Sequence, residues 1–273
     1  MRRRDAFLHL GPSRLGTDLL HEALDAQHDV LTTRGVRRVG TPDAAFRAAV
    51  ELGRDHRAWG FRRREVEGAW AGLCRDAQRD RRRTRAVLVS ERLLAGLRPP
   101  QVDLMLDQLA GFRPHVVLTA SAPDAGCTAG DPGTDLVDVL DRWAPAVGDP
   151  ARIHVLVVPP GPRERARLAV WRTFGEVAGL DDLALRVPAA WADGADGADE
   201  EPVAATDPGH REEEHARLTG LALTWIGALA ASGHDVRGDL ADLLPAPPHA
   251  AGTSRSGRPG GSVRLPGVLV RGA

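Results

Sequence analysis

Four short apolar runs punctuate the chain: residues 6–10, 85–89, 115–120 and 152–158. None alternates apolar with polar positions over its length, so each reads as a strand covered on both faces. Between them the apolar residues fall at helical spacing. Leu19, Leu20, Ala23 and Leu24 share a face over 17–28; Val66, Ala69, Trp70, Leu73 and Ala77 form a stripe over 65–78. Leu168, Trp171, Phe174 and Val177 point inward from a helix over 163–178, which Gly179 ends. Further helices are expected over 43–52 (with Pro42 as its start signal), 99–110, 135–143 and 210–232. Residues 30–39 fit neither period and read as an irregular arm. Strands alternating with helices predict an α/β fold, a parallel sheet flanked by helices on both faces.

Punctuation sets the boundaries. Residues 181–209 are rich in Ala, Asp and Gly and read as a mobile acidic loop. From residue 245 onward Pro, Gly, Ser and Arg dominate, the composition of a disordered tail. One α/β domain over 1–244 is the expectation, within reach of a chain of 273 residues.

Charge narrows the function classes. All 36 basic residues are arginine, 37 residues are acidic, and the formal net charge is −1. Such a balance gives no broad attraction to nucleic acid or to a membrane surface. No apolar run approaches the roughly 20 residues of a membrane span. The five apolar residues behind Met1-Arg2-Arg3-Arg4-Asp5 are too few for a secretory signal, so a cytoplasmic location is expected. Cys74 and Cys127 form no metal spacing and no disulfide framework. His210 and His215 miss the i, i+4 face that a zinc pair needs, and no metal site is expected.

The candidate chemistry lies behind the first strand. Gly11-Pro12-Ser13-Arg14-Leu15-Gly16-Thr17-Asp18 is a glycine-bounded loop opening a helix, the layout that holds a phosphate on helix amides. Gly11 and Gly16 have the glycine spacing of a Walker loop. The Lys and Ser/Thr that should follow are Thr17 and Asp18, which argues against magnesium–nucleotide hydrolysis. The amides of Leu15, Gly16 and Thr17, with Gly11, Ser13 and the Arg14 guanidinium, can still form an anion cradle. The competing reading is a self-capped strand–helix turn, with Asp18 favouring the positive helix end by about 0.3–1 kcal/mol. Glu91 follows an inner strand at the sheet edge where α/β proteins bind ligands. It is a candidate general base for a substrate hydroxyl, or simply an acid at a helix start. The arginine run over 79–85 reads as a solvated turn or an anion patch. His9, His115 and His154, all in strands, read as packed core histidines.

Taken in order, these segments resemble the bacterial sulfotransferase family, in its actinobacterial form. Its opening His-Val-Gly-Leu-Pro-Lys-Thr-Gly-Thr-Thr is matched by His9-Leu10-Gly11-Pro12-Ser13-Arg14-Leu15-Gly16-Thr17-Asp18. Val89-Ser90-Glu91 is similar to its Ser/His-Glu segment. Asp141-Arg142-Trp143, the strand over 152–158 with Pro159-Pro160, and Trp171-Arg172-Thr173-Phe174 resemble its later elements. The likeness runs over residues 6–180 and returns at 236–245. It implies a P-loop-type, sulfotransferase-like nucleotide fold. It also implies transfer of a sulfuryl group from 3′-phosphoadenosine 5′-phosphosulfate (PAPS) to a hydroxyl or amine of a small-molecule acceptor. No metal and no nucleic acid take part. In that scheme Arg14 and Glu91 are catalytic. Gly11, Ser13, Arg14, Leu15, Gly16, Thr17 and Ser121 bind the co-substrate.

The departures fall on the chemistry. The family's loop lysine is Arg14, which cannot donate a proton at ordinary pH. Its second loop threonine is Asp18, and the arginine and serine that hold the 3′-phosphate fall at Ser121 and near Ala129. Losing two or three charged hydrogen bonds, at about 1.5–3 kcal/mol each, lowers affinity by roughly 10²–10⁵. A catalytically silent binding or scaffold protein on the same fold is therefore the alternative expectation.

Overall fold

The computed structural model describes residues 3–80, 82–180 and 208–247. A six-stranded, all-parallel sheet in the order β2-β3-β1-β4-β5-β6 organises them. The strands are β1 (Arg4–Leu10), β2 (Val36–Arg38), β3 (Ala86–Ser90), β4 (Phe112–Ala120), β5 (Ile153–Val157) and β6 (Asp235–Arg237). The helices are α1 (Arg14–Ala26), α2 (His28–Thr33), α3 (Pro42–Gly53), α4 (Arg63–Val66), α5 (Ala69–Ala77), α6 (Pro99–Asp107), α7 (Leu136–Val147), α8 (Arg163–Val177) and α9 (Pro208–Ser232).

Strand alternation sorts the core into two layers. Phe7, Leu88, Val117 and Leu156 meet Leu19, Leu20 and Leu24 of α1 and Val170, Trp171 and Phe174 of α8. Leu8, Val89, Leu118 and Val155 face the opposite layer, with Trp70 of α5, Met105 of α6, Trp143 of α7 and Trp225 of α9. Both faces are covered, which is why the strands read as continuous apolar runs.

Three expectations need revision. The arm over 30–39 is not irregular: it holds the end of α2 and the edge strand β2. A further edge strand, β6, pairs with β5 through Asp235, Val236 and Arg237. The helix expected over 65–78 is two helices. Gly68 sits at φ +84°, a left-handed conformation that glycine adopts without strain, and breaks the run. Glu51 then restarts it: its carboxylate accepts from the amides of Gly68 (2.6 Å) and Trp70 (2.8 Å), satisfying the donors at the head of α5. From the arginine run, Arg85 ties β3 to the end of α8 by donating to the carbonyls of Ala178 and Gly179. The acidic loop lies outside the described residues up to 207, and the tail lies outside them from 248. Among the described residues no helix is long and apolar enough to cross a membrane.

Candidate functional site

The chain leaving β1 turns to α1 on one face. The chains leaving its neighbours β3 and β4 turn to α6 and α7 on the other. Diverging connections open a crevice at the carboxyl ends of the strands, the usual ligand position in open α/β sheets. Ser13, Glu91 and Ser121 all lie on these connections.

The first loop is largely satisfied by its own groups. Ser13 is the N-cap of α1: its Oγ accepts from the Gly16 amide at 3.2 Å, and its carbonyl accepts from the Thr17 amide at 3.1 Å and the Thr17 hydroxyl at 2.9 Å. Two of the three amides expected to cradle an anion therefore already have partners. Ser13 Oγ also lies 2.6 Å from Ser121 Oγ, joining the loops after β1 and β4. The glycines have packing roles. A Cβ on Gly11 would overlap the Thr17 hydroxyl, and one on Gly16 would stand 2.6 Å from Thr119 Cβ, so Gly16 lets the first turn of α1 close on β4.

Charge is arranged in the same sense. The Arg14 side chain is 83% exposed and pairs loosely with Asp18, itself 51% exposed, at 4.0 Å. Between Ser13 and Ser121 remains a cavity of about 10 Å³, also lined by Asp124, Cys127 and Trp225. That is room for about one water. No cation lines it. Arg217 of α9 comes near but is committed to Glu214 and to the carbonyl of Cys127. The described residues do not fit PAPS: no guanidinium is turned into the loop at Ser13, and Arg217, near the Ser121 end, is already paired.

Beneath α1 lies a polar relay that the sequence does not announce. His9 is fully buried; its Nδ1 lies 2.6 Å from Ser90 Oγ and its Nε2 3.1 Å from Thr119 Oγ1. The same Ser90 Oγ lies 2.6 Å from Nε2 of half-buried His21. A single serine proton serves two rings, so one ring donates to Oγ while the other accepts from it. Burial drives the His9 pKa down to about 3, helped by His21 and Arg38, and also lowers that of His21. Neutral imidazoles are the state this relay holds. Strand register brings it together, pairing His9 with Ser90 across β1 and β3.

Glu91 is buried, and its Oε1 accepts from the Leu93 amide at 3.0 Å, capping the 3-10 helix Arg92–Gly96. Burial raises its pKa against the opposing pull of the Leu93 amide and of Arg92. Burial likewise pushes the thiols of Cys74 and Cys127 up to about 11, leaving them protonated and weakly nucleophilic. His115 and His154 stack across β4 and β5, and His154 Nδ1 lies 2.7 Å from Asp235. No group of three or more His, Cys, Asp or Glu side chains is placed to hold a metal among the described residues. A cavity of about 830 Å³ lies elsewhere, between α3, α4, α5 and α6. No protein-family model, curated protein or solved structure matches the chain.

Proposed function

We propose that this chain is a sulfotransferase-like α/β protein whose donor crevice is closed by its own side chains, and that it serves as a catalytically silent binding protein. The Ser13 cap carries this reading. One residue takes up the amides of Gly16 and Thr17 and reaches across to Ser121. A sulfated nucleotide would have to displace all three bonds while gaining no inward cation.

The test is formation of adenosine 3′,5′-bisphosphate from PAPS in the presence of pooled phenols, alcohols and amines. The expected rate equals that of the buffer alone. Product above that rate, lost in Arg14→Ala, contradicts the proposal.

A second reading, a working transferase, is favoured by one observation. Glu91, with its raised pKa, stands at the carboxyl end of β3, where a base would take a proton from an acceptor hydroxyl. In that case product forms and also falls in Glu91→Gln.

A further inference from the structure

We infer that the cavity between α3, α4, α5 and α6 binds a compact apolar carboxylate. At about 830 Å³ it has the size of a small-molecule site. It shares no lining residue with the crevice beside Ser13, so this inference does not rest on the reading of that crevice.

Its walls are divided by chemistry. Leu52, Val66, Trp70 and Leu104 supply the apolar part, while Arg54 and Arg98 supply charge. The acids beside them are already engaged: Glu51 caps α5 with both oxygens, and Glu67 pairs with Arg63 at 3.3 Å. Arg54 and Arg98 have no carboxylate partner among the described residues. The lining carries three arginines against two glutamates, an excess of one positive charge that favours an anion, and the planar donor forks of Arg54 and Arg98 match a carboxylate.

One further observation points to a ligand. Leu104 is 47% exposed although it sits at the cavity wall, a large apolar side chain without cover. A carboxylate with an apolar body offers a counter-charge for the arginines and a surface for Leu104. A neutral apolar ligand would leave the arginines unanswered.

The experiment titrates the full chain with benzoate, 2-naphthoate and 4-biphenylcarboxylate, each beside its neutral amide, by calorimetry. Binding is expected to tighten along the series, with each amide at least about tenfold weaker than its acid. The double variant Arg54→Ala/Arg98→Ala is expected to lose that preference. Leu104→Asp, a change at an exposed position that spares the core, is expected to abolish binding by the largest acid. No binding at millimolar acid, equal binding of acid and amide, or acid binding that survives both sets of variants overturns the inference. Its failure leaves the PAPS assay untouched, since none of these residues lines the donor crevice.

Discussion

Gly16 shows how one residue can satisfy two readings. Its place after Gly11 matches a phosphate loop by spacing, while in the fold it lets α1 approach β4, with Thr119 where a side chain would go. Gly16→Ala should therefore destabilise the protein by about 1–3 kcal/mol, the usual cost of overpacking, measured by urea unfolding. Arg14→Ala, one position past the Ser13 cap, should change stability by less than about 0.5 kcal/mol, because an exposed pair 4.0 Å apart contributes little. If the alanine at 16 were silent and that at 14 costly, the loop would be held by its cation and not by its packing. Ser13 was legible as a candidate from sequence. Its partner Ser121, 108 positions on, was named only through the family likeness, and their direct bond depends on the fold.

Elements were read best where burial makes the pattern strong. β1, β3, β4 and β5 are buried on both faces, and their runs stand out in the sequence. β2 and β6 have three residues each, lie at the sheet edges and carry Arg37, Arg38, Asp235 and Arg237, so no apolar run marks them. The break at Gly68 escaped because the apolar stripe continues through it, and the αL turn is invisible to periodicity. Gly68→Ala meets no side chain, so its whole cost is backbone strain. A loss of about 1–2 kcal/mol in unfolding free energy is expected. An unchanged value would mean that α4 and α5 can join as one helix.

The polar relay across β1, β3 and β4 also depends on register and makes stability sensitive to acid. The pKa of His9 falls from 6.5 to about 3 on folding, and that of His115 to about 4, both chiefly through burial. The neutral rings stabilise the fold fully above pH 6.5, and this contribution is lost as pH falls toward those values. His9→Gln should flatten the decline of unfolding free energy between pH 6.5 and 4. An unaltered slope would remove His9 from the account.

On the scale of the whole molecule, the sheet separates two regions of different character. The crevice at β1 is filled by caps and hydroxyls and is poor in inward charge, whereas the cavity between α3 and α6 is roomy and carries two arginines without acid partners among the described residues. The α/β class and the crevice loops could be read from the chain alone; the closure of the crevice could not, because it is made by contacts between loops distant in sequence. The direct measurement is a calorimetric titration of the wild-type protein with adenosine 3′,5′-bisphosphate, run beside Arg14→Lys/Asp18→Thr. No heat of binding is expected for the wild type at millimolar ligand. Micromolar affinity in the wild type that collapses in Arg14→Ala would show the crevice open to the nucleotide.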